Sequence, residues 1–456
     1  MLKFKKGFVM KNKLLRLPVL LVLLTVSLSS FISCEKKDNT PEGKVLNIFC
    51  WNTEFKTRFN DYFISKGLLP ADVKINWIIN PNENSYYQSK LDEYLVKQFD
   101  LPADERIDLF LVESDYAKKY VDTPFTLDIY KDIGITDNDT KDQYQYTKTI
   151  MTDNSGHLKG ISWQACPGGF IYRRSIALSV LGTDNPEEVQ QALSTWDKFD
   201  YVASLAKDKG YFMLSGYDDS YRVFYDNIKA PFVQNDTIVI DPAIKQWIKQ
   251  TKTYTTKGYN NRANLWTVES FKGASIEGKV FGYFAPAWFI DYCLIPSSLQ
   301  FPKGERKEGN GTYGDWAFCK GPQAFSWGGT WICAASGTDN KKLIKDIMFT
   351  LTCKKDTMTS IAREMGDFTN NREAMSEIAA SDYKNPFLGG QNHITPFIEN
   401  VEAIRKDFVS PYDQEINEKI NHCFAPYFEG LMTEEEAWNY FYSEIEQIHP
   451  YLKHNK

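Results

Sequence analysis

The sequence lacks the residue spacings that metal, redox and serine-hydrolase sites require. Its five histidines show no metal-ligand spacing, and no two of its eight cysteines are three positions apart. The second absence excludes a Cys-x-x-Cys redox pair and a zinc knuckle. There is no Gly-x-Ser-x-Gly motif, which excludes the nucleophile turn of an α/β-hydrolase. We therefore expect no metal site, no cofactor and no catalytic residue.

Negative charge exceeds positive charge once the N-terminus is set aside. The 456 residues carry a formal net charge of −6, and residues 1–33 hold six basic and no acidic residues, so the remainder carries −12. An acidic surface repels nucleic-acid phosphates and anionic lipid, so neither nucleic-acid binding nor a polybasic membrane patch is expected. The composition, 43% hydrophobic and 25% charged, is that of a globular protein, and its length predicts two large lobes or three small domains.

Residues 1–33 are typical of a secretion signal. Six basic residues precede or border the apolar run Leu17–Leu28, which is shorter than the roughly 20 residues of a membrane-spanning helix. Translation can start at Met1 or at Met10, because the basic residues that follow Met10 form a complete n-region.

The end of this segment, Phe31-Ile32-Ser33-Cys34, resembles the lipobox of bacterial lipoproteins, in which the cysteine is acylated and becomes the first residue. We predict a signal peptide at 1–33, lipidation of Cys34 with palmitate-type chains, and a flexible polar tether at 34–43. Seven cysteines follow Cys34, and an odd number cannot pair completely. Cys50 and Cys333 lie in apolar strand-like runs, so mostly free, buried thiols are expected.

Strands and helices alternate at the start of the mature chain. Val45–Trp51, Val73–Ile79 and Ile107–Val112 have the apolar character of strands, and helical patterns lie between them. This βαβαβ order predicts a parallel sheet covered on both faces. Ligands bind at the carboxyl ends of such strands, which here are Trp51–Glu54 and Glu113–Asp115.

The segment 157–174 reads as an extended stretch, and Pro167-Gly168-Gly169 inside it is interpreted as a flexible hinge. A second set of helices and strands follows, interrupted by a charged, glycine-rich surface loop at Pro296–Asp315. The fold class is therefore α/β in two lobes.

The order of several motifs resembles the family 1 extracellular solute-binding proteins of ABC importers, which include maltose-type sugar receptors. The resembling pieces are the lipobox, the strand ending at Trp51, and five further motifs: Gly160–Arg174, Thr195–Phe199, Gly278–Trp288, Gly328–Trp331 and Gly366–Ala374. The resemblance covers nearly all of residues 44–452.

The resemblance implies a periplasmic-binding-protein fold, type II-like, with two lobes that close over a ligand cleft. Three crossings are expected near Ile161–Gly169, Gly321–Trp327 and Met365–Asn371. Lobe 1 would comprise 44–160 and 325–365, and lobe 2 would comprise 161–324 and 366–456.

A sugar receptor needs flat aromatic surfaces for C–H faces and polar groups for hydroxyls. The chain has 11 Trp, 26 Tyr and 30 Phe. Trp288 is the first candidate to stack on a sugar, followed by Trp51 and Trp163. The complete set of expected ligand-binding residues is Trp51, Asn52, Glu54, Glu113, Asp115, Trp163, Gln164, Tyr217, Trp288, Trp327, Gly328 and Asp367.

The function expected from this resemblance is that of an extracytoplasmic receptor of the cell envelope, attached to a bacterial membrane by its lipid. It would bind a small sugar or oligosaccharide as a monomer and deliver it to the permease subunits of an ABC transporter. One alternative is a surface glycan-binding lipoprotein without a transport role. A glycoside-active enzyme is less favoured, although carboxylates such as Glu54, Glu113 and Asp115 could form a catalytic pair.

Overall fold

The computed structural model describes residues 42–83 and 85–454. The expected signal peptide, Cys34 and nearly all of the tether lie outside these residues. The strands are β1 Val45–Cys50, β2 Lys74–Ile79, β3 Leu109–Glu113, β4 Ile161–Ser162, β5 Pro167–Arg173, β6 Val233–Gln234, β7 Thr237–Ile238, β8 Gly282–Pro286, β9 Trp316–Cys319, β10 Phe325–Ser326, β11 Thr330–Ala334 and β12 Lys453–His454.

The α-helices are α1 Glu54–Phe59, α2 Tyr86–Lys97, α3 Ala117–Val121, α4 Gln145–Met151, α5 Arg174–Leu181, α6 Pro186–Ala192, α7 Trp196–Asp208, α8 Tyr221–Tyr225, α9 Pro242–Lys257, α10 Val268–Lys272, α11 Ala287–Phe289, α12 Ile295–Ser298, α13 Lys341–Thr352, α14 Lys355–Met365, α15 Arg372–Ala379, α16 Ile394–Val401, α17 Asp413–Glu429 and α18 Glu434–Ile448. Wider π-helical turns continue two of the short helices, at Asn60–Ile64 after α1 and at Ile290–Leu294 after α11.

The first lobe is built on a five-stranded sheet in the order β2-β1-β3-β11-β4. Strand β1 is parallel to both of its neighbours, as the βαβαβ order predicted. Strand β11 is antiparallel to β3 and β4, so the prediction of a wholly parallel sheet is wrong. The reason is topological, because β11 enters this sheet only after the chain has passed through the second lobe.

The second lobe is built around β5, which pairs antiparallel with β8, β9 and β10. Every residue of β5 is buried. A separate hydrophobic cluster joins α8, α9, α17 and α18, and the small sheet β12-β7-β6 packs at its edge. The mixed α/β architecture in two lobes is the one expected from the sequence.

The interpretation of Pro167-Gly168-Gly169 as a flexible hinge is wrong. The three residues begin β5 and pair with neighbouring strands on both sides. A Cβ atom on Gly168 would lie 2.2 Å from the ring of Phe325, and one on Gly169 would lie 2.2 Å from the ring of Phe318. The glycines therefore make room for aromatic rings in a close-packed sheet.

Three short segments carry the chain between the lobes, at residues 163–166, 327–329 and 366–371. They lie side by side, because Asn370 N donates to Trp163 O at 2.8 Å and Trp327 N donates to Cys166 O at 3.2 Å. Cys166 has φ +53°, in the left-handed region. The first and third segments fall in the expected ranges, whereas the return crossing begins only at Trp327, the end of its expected range.

The described cysteines are all unpaired, and all but Cys353 are buried, which confirms the expectation of mostly free, buried thiols. Burial raises the pKa of the Cys50, Cys293 and Cys319 thiols to about 12. Among the residues that the structure describes, no helix is both long enough and apolar enough to cross a membrane.

Candidate ligand-binding site

A cavity of about 930 Å³ lies between the two lobes. Its first-lobe wall is formed at the carboxyl ends of β1 and β3, where the sequence predicted a ligand site. The opposite wall comes from second-lobe residues, including Arg222 of α8 and Trp288 of α11. A volume of this size is within the usual range for small-molecule sites.

Nine of the twelve expected residues line this cavity. They are Trp51, Asn52, Glu54, Glu113, Asp115, Gln164, Trp288, Trp327 and Gly328. Residues that are up to 277 positions apart in the sequence thus meet at one place. Most of them were predicted from their position at the end of a strand or in an expected crossing.

The other three expected residues lie outside the cavity lining. Trp163 is only 1% exposed and stacks on Phe55, with ring centroids 5.6 Å apart. Tyr217 belongs to the helix cluster, where its ring packs against Phe428. Asp367 is 2% exposed and lies behind Gln164, whose Nε2 donates to it at 3.0 Å. Packing and hydrogen bonding within the protein account for their positions.

Three tryptophans form one aromatic wall of the cavity. The rings of Trp266 and Trp288 are nearly parallel, at 4°, with centroids 6.3 Å apart. Trp327 meets Trp288 edge to face at 5.2 Å, and the Trp288 indole N–H donates to the Trp327 carbonyl at 3.1 Å. That bond fixes the orientation of the Trp288 ring, so one flat face is presented toward Trp266.

Trp266 was missed by the sequence analysis, although it is the most exposed ring of this wall, at 58%. It follows the polar stretch Asn260-Asn261-Arg262-Ala263-Asn264 and has φ +69°, a backbone conformation that costs a bulky residue about 1 to 3 kcal/mol. A lone large aromatic residue in a polar loop is the signal that could have found it.

Arg222 was also missed, and it connects the two lobes. Its Nη1 and Nη2 donate to the two carboxylate oxygens of Asp115 at 2.6 and 2.5 Å. Asp115 follows β3 of the first lobe, and Arg222 lies in α8 of the second. A paired, two-bond contact of this kind is among the stronger ionic interactions in proteins. It therefore holds the lobes together across the cavity.

Several cavity carboxyl groups are buried with little compensating positive charge. Burial raises the pKa of Glu54 to about 7, although Arg58 counteracts the shift. Burial and the neighbouring Asp115 raise the pKa of Glu113 to about 7. Burial and the neighbouring Asp218 raise the pKa of Asp219 to about 7. These groups exchange a proton near neutral pH, so each can act as donor or acceptor toward a polar ligand.

Gln164 lies in the first crossing and contacts the first-lobe wall of the cavity. Its Nε2 donates to Glu54 as well as to Asp367, each at 3.0 Å. Glu54 begins α1, and its backbone N–H is held by the side chain of Asn52 at 2.9 Å. The first crossing is thereby connected to a carboxyl group of the cavity wall.

The described residues contain no group of three or more His, Cys, Asp or Glu side chains arranged to hold a metal ion. The cavity instead combines aromatic faces with carboxyl and amide groups. Such a lining suits a neutral or positively charged polar ligand with apolar faces.

The family model described as bacterial extracellular solute-binding protein matches residues 79–386. The chain belongs to this family. Its members act outside the cytoplasm and bind solutes, and the two-lobed fold with a central cavity is the one that this function uses. A search of curated proteins finds no match.

Solved structures confirm the fold at low sequence identity. A crystal structure of an extracellular solute-binding protein of family 1 matches with a TM-score of 0.71 and 15% identity, over 89% of this chain and 99% of that one. The galacto-N-biose/lacto-N-biose I-binding protein of an ABC transporter from Bifidobacterium longum, in complex with lacto-N-biose, matches with a TM-score of 0.66 and 14% identity, over 91% and 100%. An ABC transporter associated binding protein from B. animalis subsp. lactis, in complex with beta-1,6-galactobiose, matches with a TM-score of 0.64 and 16% identity, over 91% and 100%.

Proposed function

We propose that this solute-binding protein is a receptor that holds a sugar or oligosaccharide in the interlobe cavity and delivers it to an ABC permease. The observation that supports this function best is the aromatic wall of Trp266, Trp288 and Trp327 facing a cavity rich in carboxyl and amide groups. Aromatic faces pack on the C–H faces of a sugar ring, and the polar groups select the geometry of its hydroxyls.

The similar structures give independent support for a carbohydrate ligand. Those of the two bifidobacterial proteins hold lacto-N-biose and beta-1,6-galactobiose, and a similar Thermotoga maritima protein holds maltose. At identities of 13% to 16%, these matches indicate a shared fold but do not indicate which sugar this protein binds. The proposal therefore names carbohydrates as a class.

A ligand that binds only the folded protein must raise its melting temperature. The experiment is a thermal-shift screen of residues 35–456 against mono- and oligosaccharides, followed by calorimetric titration of each hit. Stabilisation by at least one sugar, with saturable one-to-one binding, is the expected result. If no carbohydrate stabilises the protein while another solute class does, the receptor is not a sugar receptor.

The receptor proposal includes a monomeric protein of two lobes. The boundaries expected for them, 44–160 with 325–365 and 161–324 with 366–456, move by two residues at 161 and at 325, because β4 pairs within the first-lobe sheet and β10 within the second-lobe sheet. It also requires closure about the three crossing segments. The radius of gyration in solution scattering should fall when the sugar is added to a sample that starts open. A rigid profile at saturating sugar would favour the alternative of a glycan-binding surface lipoprotein.

The proposal assigns binding without catalysis. Incubation of the protein with the bound oligosaccharide should leave its length unchanged in chromatography. Release of shorter sugars, abolished by Glu113→Gln or Asp115→Asn, would show instead that the cavity carboxylates act as a glycosidase pair.

Membrane attachment through Cys34 is a further part of the proposal, supported by the lipobox-like residues before it. Cys34→Ser should release the protein from the membrane fraction or leave its precursor uncleaved. A Cys34→Ser protein that is still processed at the same site and remains membrane-bound would contradict lipidation.

A further inference from the structure

We propose that the natural ligand is an amine-bearing sugar, whose ammonium group is held among the cavity carboxylates while its ring lies on the tryptophans. This inference rests on the proposed function and narrows it from carbohydrates in general to positively charged ones. It follows from the charge of the cavity wall and from how its few cations are already used.

The wall of the cavity is strongly acidic. Two guanidinium groups, those of Arg222 in the wall and Arg58 behind it, face seven carboxyl groups, and no lysine is among the described residues that line the cavity. The seven are Glu54, Glu83, Glu113, Asp115, Asp218, Asp219 and Glu418. A neutral sugar would leave this excess in place, whereas an ammonium group would offset part of it.

Each of the two cations is in direct contact with one carboxylate of the wall. Both terminal nitrogens of Arg222 are bonded to Asp115. Nη2 of Arg58 lies 3.7 Å from Glu54. Among the described residues, Glu113 receives hydrogen bonds from the Ser114 hydroxyl and the Asp115 backbone N–H, neither of which carries charge.

Asp219 adds a buried carboxyl group to the second-lobe wall of the cavity. Its side chain lines the cavity and the residue is 5% exposed. One carboxylate oxygen accepts from the backbone N–H groups of Ser215 and Gly216, at 2.6 and 3.0 Å. The other, Oδ1, has no hydrogen-bond partner among the described residues.

The arrangement of charge and rings matches the shape of an amino sugar. Asp218 and Asp219 stand in the second-lobe wall, and Leu265 N, adjacent to Trp266, donates to Asp218 at 3.0 Å. A sugar ring placed on Trp266 or Trp288 thus lies beside carboxylates within the same cavity. Tryptophan faces also attract cations, so the aromatic wall does not oppose a positively charged ligand.

The test compares sugars that differ only in one substituent. Residues 35–456 are titrated by calorimetry with glucose, glucosamine and N-acetylglucosamine, which carry a hydroxyl, an amine and an N-acetyl group at the same position. The β-1,4-linked dimers and tetramers of these three sugars follow, and then the corresponding galactose and mannose series. Spermidine is included as an amine without a sugar ring. We expect the free-amine member of at least one series to bind at least about tenfold more tightly than its hydroxyl and N-acetyl counterparts, with affinity falling as sodium chloride rises.

Three results would overturn the inference, and they separate it from the proposed function. If neutral or N-acetylated members bind as tightly as the amines, the protein is a sugar receptor but the ligand is uncharged. If spermidine binds and no sugar does, the carbohydrate function falls and the amino-sugar inference falls with it. If no member of the panel binds, both are rejected for these sugars and for the amine.

Variants that remove one carboxylate at a time test which carboxyl groups of the cavity hold the ammonium group. Glu113→Gln and Asp219→Asn keep the size of the side chain, and each should weaken binding of the amine by about fivefold to tenfold more than binding of its hydroxyl counterpart. Asp72→Asn is the matched control, because Asp72 is a surface carboxylate paired with Lys44. An equal loss of both sugars in folded variants, or an equal effect of the control, would contradict a charge-specific role.

Discussion

Replacing Trp288 by alanine separates a binding role from a packing role. The Trp288 ring packs against Trp266, Trp327 and Phe289 at centroid distances of 6.3, 5.2 and 5.8 Å, and it is only partly buried. Loss of one aromatic surface against a sugar should cost on the order of 1 to 2 kcal/mol of binding free energy, by analogy with aromatic pairs. That predicts roughly a tenfold or larger rise in Kd for Trp288→Ala.

The same change also affects stability. It removes the indole hydrogen bond to Trp327 O, worth about 1 kcal/mol, and edge-to-face contacts of about 0.5 to 1.5 kcal/mol each. The free energy of unfolding should therefore fall by roughly 2 to 3 kcal/mol, which is less than the 3 to 5 kcal/mol typical of a fully buried aromatic residue. A drop of a few degrees in Tm is expected in parallel with the weaker binding.

Two further variants separate the effects. Trp266→Ala removes an exposed ring, so it should weaken sugar binding with little change in Tm. Trp288→Phe retains a flat ring but loses the hydrogen bond, so it should keep more affinity than Trp288→Ala. Calorimetric titration and thermal melts on all three proteins give the answer. Unchanged Kd for Trp288→Ala together with a sharply lower Tm would refute the stacking role and make Trp288 a packing residue.

Three other variants or conditions have defined outcomes. Because burial raises the pKa of Glu54 from about 4.5 to about 7, folding favours its protonated form. The stabilisation from this group is complete below the unfolded pKa and is lost as pH rises through 7, so the unliganded protein should be less stable at pH 8 than at pH 5 by roughly 2 to 3 kcal/mol. Glu54→Gln should flatten that part of the pH profile of the unfolding free energy, measured by chemical denaturation. Arg222→Met leaves Asp115 without its partner across the cavity and should enlarge the unliganded protein in solution scattering; an identical scattering profile would show that the ion pair does not hold the lobes closed. Gly169→Ala forces a Cβ into the Phe318 ring and should lower stability by about 1 to 3 kcal/mol in denaturant titration, whereas an unchanged midpoint would mean that the sheet has room to adjust.

Much of the fold was predictable because the strongest signals are local. The apolar run that forms β1 and the polar residues that follow it, Trp51–Glu54, are continuous in the chain, and the carboxyl end of a central strand is a usual place for a ligand. The capping box at Thr433 is likewise a local pattern, and it marks the start of α18. Order along the chain also indicates two lobes, because four of the five first-lobe strands precede the strands of the second-lobe sheet.

The parts that could not be predicted depend on contacts between distant segments. Arg222 and Asp115 are 107 positions apart, and no pattern around either residue indicates the other. Trp163 was expected at the cleft because it lies in a crossing, but its ring turns inward to Phe55, and sequence alone does not give that orientation. The direction of β11 depends in the same way on the route of the whole chain.

The burial of the cysteines makes this receptor suited to conversion into an optical sensor. None of the described thiols is both exposed and acidic enough to react readily with a maleimide dye at neutral pH, since the reactive species is the thiolate. In the protein that starts at residue 35, a cysteine introduced on the surface at the cleft edge would be labelled selectively without removing any native cysteine. A dye placed there would report movement of one lobe against the other as a change in fluorescence, which gives a direct readout of ligand concentration.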